Sequence, residues 1–158
     1  DSADVYALSG FIAYDMGQKD YAHAEFGEAY ERNRAYCTAP FYRGIIDSDY
    51  DRWEAAVREY LLAAGCYEMS VRHLDASLRE AERLDPDNPT RRRRIDNLTA
   101  AVDAERLQLA RAAYNVAYAH GRLGNAASAI PFAEKAAATH KDMEKLATDQ
   151  LAILRKAG

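Results

Sequence analysis

One spacing, that from Gly10 to Gly44, recurs along the chain and constrains its fold more than any single residue does. The same interval separates Gly17, Asp51 and Asp85 in succession, Ala22 and Ala56, Phe26 and Tyr60, and Ala29 and Ala63. A period of about 34 residues marks tandem helix–turn–helix units, each too small to bury its apolar face alone and so obliged to stack on its neighbours. Arrays of this kind present an extended concave surface for binding.

The apolar residues recur at helical spacing nearly throughout. The pattern predicts a first helix over about 4–16, closed by Gly17, and a second from Asp20 with Ala22, Phe26, Ala29 and Tyr30 on one face. A third opens at Pro40, a residue suited to a helix's first turn. A fourth covers about 51–64 and stops at Gly65, and a fifth covers about 68–84. The run Asp85-Pro86-Asp87-Asn88-Pro89 then ends one helix and opens the next. Residues 91–123 contain no breaker, so one long helix or two both fit. Further helices are expected over about 125–140 and 142–156. Gly124 comes five places later after Asp85 than the period would put it, which locates an insertion in the proline-rich turn. With that allowance Ile95, Thr99 and Val102 correspond to Ala22, Phe26 and Ala29. The expected result is one domain of four units, about 3–36, 37–70, 71–109 and 110–143, with a capping helix over about 144–157.

Within the units Tyr6-x2-Ser9-Gly10 is followed by Ala22-x3-Phe26, Arg43-Gly44 by Ala56-x3-Tyr60, and Val116-Ala117 by Ala129-x3-Ala133. This succession resembles the tetratricopeptide repeat (TPR) family. The resemblance covers almost the whole chain and is weakest in the third unit. Ser9 and Arg43 depart from the family's Leu, and Leu78 from its Gly. It implies an all-α, right-handed superhelix in which small residues let paired helices approach closely and aromatics fill the gaps. It further implies that the first helix of each unit lines a concave groove. Carried over by position, the groove residues are Phe11 and Tyr14, then Phe41 and Ile45, then Arg72 and Arg79, then Arg111, Tyr114, Tyr118 and Arg122, with Ala7, Asp15, Ser48, Asp75 and Arg83 beside them. The family's chaperone-binding subgroup holds a carboxylate with Lys and Asn, but Ala7, Phe41, Phe11 and Ile45 occupy those places here.

Aromatics dominate the first half of this surface and arginines the second. Both are enriched at binding hot spots, and Arg grips carboxylates at two points. The expected function is therefore a non-catalytic adaptor or scaffold whose protein or peptide partner has apolar and acidic parts. A small-ligand sensor, with a pocket between the aromatics and the arginines, is the alternative, as is a helical domain of a larger protein. Packing of Phe11, Phe41 and Tyr114 between helices, with the arginines paired to Asp75 and Glu82, is the structural counterpart of the groove reading. Exposed repeat faces also allow self-association.

No catalytic constellation and no cofactor is expected. His23, His73, His120 and His140 are scattered, and neither a nucleophile elbow nor a Gly-rich phosphate loop is present. Asp47, Asp49 and Asp51 begin like a calcium loop, but Arg52 takes the required Gly place and Arg58 that of the closing Glu, so no metal is expected. A net charge of −4 argues against a nucleic-acid partner. The densest charge run, Arg91-Arg92-Arg93-Arg94, reads as a solvated face. No stretch has the roughly 18 apolar residues of a membrane span. The expectation is a soluble protein, cytoplasmic or exported, with a processed or truncated N-terminus. Cys37 and Cys66 flank the second hairpin at adjacent ends. Two free thiols or one disulfide both fit, and a disulfide would point to an oxidising compartment.

Overall fold

A computed structural model describes residues 2–158. Among these residues are seven helices and no strand. They are α1 (Ser2–Asp15), α2 (Lys19–Arg32), α3 (Thr38–Asp49), α4 (Trp53–Glu82), α5 (Arg91–Arg122), α6 (Ala126–Thr139) and α7 (Lys141–Ala157). Each helix packs on the next in sequence, and α7 also reaches back to α5.

Three of the turns between helices are copies of one another. After α1, the Gln18 N–H donates to the Ala13 carbonyl at 2.8 Å and Gly17 N–H to Tyr14 at 3.0 Å. After α3, Arg52 donates to Asp47 at 2.8 Å and Asp51 to Ser48 at 3.0 Å. After α5, Asn125 donates to His120 at 2.9 Å and Gly124 to Gly121 at 3.0 Å. This paired pattern satisfies carbonyls that a helix end leaves open, and it requires one left-handed residue. Gly17 (φ 79°), Asp51 (φ 57°) and Gly124 (φ 78°) supply it. Asp51 alone carries a side chain there, which the left-handed region disfavours. Asp51→Gly is therefore expected to raise stability by about 0.5–1 kcal/mol, net of glycine's added freedom when unfolded. Urea denaturation of the variant checks this, and an equal or lower midpoint would contradict it.

The repeat period also has a packing counterpart. A Cβ on Gly10 would lie 2.9 Å from the Phe26 ring, and one on Gly44 would lie 2.6 Å from the Tyr60 ring. Each glycine is the socket for an aromatic on the helix that follows its own, so both rings are buried between paired helices. In the last hairpin the matching positions are Ala117 and Ala133, both buried in one cluster with Leu151 and Leu154. There the gap is closed by α7 instead of by a ring.

One helix boundary differs from the sequence reading, and one that it left open is decided. No break occurs at Gly65, which lies inside the 30-residue α4. An interior glycine costs a helix only about 1 kcal/mol. Burial of Ala63 and Tyr67 on either side outweighs that. Residues 91–122 form one helix, α5. The hairpin turn at residues 83–90 is present, but no turn separates residues 70 and 71, or 109 and 110. As a result the end of α5 packs directly on the start of α4, through Val116 and Ala119 against Ala56, Val57 and Tyr60. The distal parts of α4 and α5 form a two-helix arm in which, between residues 72 and 101, only Ala81 is fully buried. Thr99, placed by register where Phe26 sits, is exposed on this arm, whereas Val102 is buried.

Cys37, just before α3, and Cys66, in α4, form a disulfide with Cα atoms 5.4 Å apart. This settles the open question of their state. The final helix starts at His140, whose Nδ1 accepts from the Asp142 N–H at 3.1 Å while Nε2 lies 3.1 Å from Asp103 Oδ1 on α5. Along its inner face Ala147 packs with Ala113 and Ala136, and Gln150 Nε2 donates to the Tyr114 carbonyl at 3.1 Å.

Candidate functional site

The residues expected to line a groove fall into three groups. Phe11 and Tyr14 on α1 are half-buried. The Phe11 ring meets Phe26 and Tyr42 edge-on at 5.0 and 4.9 Å. The Tyr14 hydroxyl donates to Asp49 Oδ2 at 3.2 Å, and burial followed by that carboxylate's charge raises its pKa. Phe41 and Ile45 on α3 are also half-buried, against the cluster of Tyr60, Val116 and Ala119. Phe41 further contacts Tyr42, Tyr60 and Tyr67 edge-on. These rings thus serve helix packing and still keep part of their surface in water.

The second group lies on α5 and is more open. Tyr118 is 48% exposed, and its ring meets Trp53 edge-on at 5.7 Å. The Arg122 guanidinium stands 5.1 Å from the Trp53 ring centroid. An aromatic pair with a cation over its face is a rigid, amphipathic patch of the type found at hot spots. Trp53 was not among the expected site residues, because it opens a second helix rather than lying on a first. Tyr114 is half-buried beside Ala136 and Ala147, and Arg111 is exposed.

The third group, Arg72 and Arg79, is exposed on the α4 arm, away from the rings. Asp75 takes Arg106 Nη2 at 3.2 Å rather than either of these arginines, while Arg79 Nε reaches only the Asp75 carbonyl at 3.4 Å. The Glu82 carbonyl accepts from Arg91 Nη2 at 3.1 Å. The two arm arginines therefore do not form the carboxylate pairs with Asp75 and Glu82 that a purely structural role would give them.

Where α2, α3 and α4 meet, charged groups are drawn inside. Asp47 is 3% exposed, and its Oδ1 accepts from Arg52 Nε at 3.1 Å and Nη2 at 3.0 Å. His23 Nε2 lies 3.1 Å from the same oxygen, at ion-pair distance but not aligned for a hydrogen bond. Burial, then the Arg43 charge, lowers the His23 pKa against the pull of Asp47. Arg43 Nη1 lies 3.4 Å from Glu59 Oε1, and burial raises the Glu59 pKa although Arg43 opposes it. Desolvation exceeds pairing in both cases, as expected for charges sharing an interior. The Tyr60 phenol beside them is pushed up to about 12, chiefly by burial. The three aspartates of the calcium-like run go separate ways: Asp47 inward, Asp49 to Lys19 at 3.2 Å, and Asp51 into the turn. Among the described residues no group of three or more His, Cys, Asp or Glu is placed to hold a metal ion.

An apolar trough of about 720 Å³ lies elsewhere, beside the disulfide, with Tyr30, Leu61, Leu62, Met69 and Leu74 in its walls and Arg34 and His73 as polar heads. It includes none of the expected groove residues. Among the described residues no helix is long and apolar enough to cross a membrane. No family model matches the chain, and no curated protein matches it.

Proposed function

We propose that this chain is a non-catalytic interaction module, an adaptor or scaffold that holds a protein or peptide segment against α1, α3 and the end of α5. In this reading its hairpins wind into a right-handed, TPR-like superhelix closed by α7. The observation that carries the reading is the socketing of Phe26 in Gly10 and of Tyr60 in Gly44, one repeat apart. Such packing closes successive hairpins in the same way, as in arrays whose like units stack and share one surface on their first helices. Phe11, Tyr14, Phe41, Ile45 and Tyr114 contribute half-buried rings and side chains, and Tyr118 and Arg122 the open aromatic–cation patch. Arg72, Arg79 and Arg111 suit the acidic part of a partner. The disulfide fits an oxidising compartment.

The test is fluorescence anisotropy with a panel of short peptides combining Leu or Phe with Asp or Glu. Binding is expected, and Tyr118→Ala and Arg122→Ala should each weaken it about tenfold or more, the range of a hot-spot residue. Unchanged affinity in both variants, with helix content intact, removes the assignment. A second reading, a small apolar ligand, rests on the trough beside the disulfide, whose volume falls in the range of ligand pockets. Under that reading Met69→Lys abolishes binding of a hydrophobic dye probe and Tyr118→Ala does not.

A further inference from the structure

The trough beside the disulfide is apolar for a reason that hairpin stacking does not supply. Its long wall is α4, from Leu61 through Met69 to Leu74, and Tyr30 at the end of α2 and Arg34 in the link after it complete the lining. Leu61, Leu62 and Met69 are 40%, 45% and 60% exposed. The molecule holds two internal controls for this wall. Moved back by the interval from Gly10 to Gly44, Leu61, Leu62 and Cys66 become Gly27, Glu28 and Arg32. Moved forward by the interval from Asp51 to Gly124, they become Glu134, Lys135 and Thr139. Glu28 pairs with Arg32, Glu134 with Arg155 and Lys135 with Glu68, all at the surface. In both other hairpins these positions therefore face water, and no neighbouring hairpin covers them. Leucine at two of them in α4 answers to something other than the repeat, and a contiguous exposed apolar strip of this kind marks a binding surface.

Gly65 points the same way. Glycine is unfavourable in mid-helix, yet a Cβ there would meet nothing within 4 Å. The missing side chain deepens the trough, which Gly65 lines between Leu62 and Met69.

Length and charge identify the occupant. From Leu61 to Leu74 the helix rises about 20 Å, the reach of an extended chain of roughly sixteen bonds. Among the described residues the walls hold no carboxylate, although the whole chain has a net charge of −4. They hold instead His73 and Arg34, whose guanidinium lies 5.1 Å from the Tyr30 ring centroid. Arg34 pairs with Glu31 at 2.8 Å, and both side chains are largely exposed. An exposed pair of this kind is worth little and exchanges readily for another carboxylate. The disulfide holds this cation in place: both cysteines line the trough, and the Arg34 carbonyl lies 3.7 Å from Cys66 Sγ.

We propose that the trough binds one long-chain carboxylate, with its hydrocarbon tail along Leu61, Leu62, Gly65 and Met69 and its head on Arg34. This rests on the small-ligand reading of the trough and names its ligand class; the peptide groove is separate from it. Isothermal titration with dodecanoate, below its micelle concentration, should give one site per chain. Octanoate should bind at least tenfold more weakly, since each buried methylene contributes roughly a fourfold factor. Arg34→Gln should weaken dodecanoate about fivefold more than dodecanol, the upper range for an exposed charge pair. Gly65→Leu fills open space and favours the helix, and Leu62→Glu copies the first hairpin. Each should weaken dodecanoate at least tenfold with unchanged far-ultraviolet circular dichroism. Dodecanoate bound no more tightly than octanoate, or bound equally by Gly65→Leu, would overturn the proposal. Binding of a hydrophobic dye that Met69→Lys abolishes, without selectivity for tail length or for Arg34, would remove the carboxylate and leave the small-ligand reading standing. Failure of both the dye and dodecanoate to bind would remove both.

Discussion

Replacing Cys37 and Cys66 together by alanine lowers the stability of the folded chain by about 3.5 kcal/mol, the loss expected when a cross-link spanning 29 residues is removed from the unfolded state. The bridge fastens the start of α3 to α4 where α4 passes beyond the second hairpin. Cys37 is itself buried in a cluster with Ala63, Tyr67, Leu109 and Ala112, so alanine keeps most of the contact and the lost constraint dominates. Urea unfolding supplies the measurement. Reductant should lower the midpoint of the unaltered protein by nearly the same amount and leave the double variant unmoved. A loss below about 1 kcal/mol, or a variant that still responds to reductant, would show that the bond contributes little.

Gly44→Val should destabilise by about 3 kcal/mol, at the upper end of the range for overpacking an interior. The new Cβ would fall 2.6 Å from the Tyr60 ring, nearer than any real side chain approaches. The ring has nowhere to go: it is 4% exposed, and its hydroxyl is paired with Ser48 Oγ at 3.0 Å. Relief then requires α3 and α4 to separate. Gly65→Ala is the matched control. Its Cβ meets nothing within 4 Å, and in mid-helix the change should gain up to about 1 kcal/mol. If both substitutions shifted the thermal midpoint equally, the glycine–ring socket would not be what holds the second hairpin together.

Much of this architecture was legible because it recurs. Gly17 and Asp51 could be aligned from spacing alone, and Gly124 once five inserted residues were allowed for; these three occupy one turn conformation, whereas Asp85, aligned by the same spacing, does not. Gly10 with Phe26 and Gly44 with Tyr60 form sockets, a pairing not read from the sequence, although the family resemblance implied small residues and gap-filling aromatics. Where the repeat weakened, local signals misled. Gly65 looked like a stop, but a lone glycine's helix penalty is small beside the burial of its neighbours. Thr99 matched Phe26 in count yet had no facing glycine to fill, and it sits in water. The state of the two cysteines depended on a distance that only the packed hairpin defines. Of the exposed aromatic–cation cluster, Tyr118 and Arg122 were named by position in the sequence, whereas Trp53 was not. Its role comes from α5 folding back beside the start of α4, a long-range contact that no local pattern encodes.

The unbroken passage of α4 and α5 through the third unit has an energetic corollary. In an array punctuated by a turn at every repeat, a fluctuation that melts one hairpin is halted at the next loop. Here fraying that starts at the proline tip can travel inward along both helices with no punctuation to arrest it. The first firm stop is the covalent staple at Cys66, so the frontier between the labile and the durable parts of the molecule is drawn by sulfur chemistry inside a continuous helix.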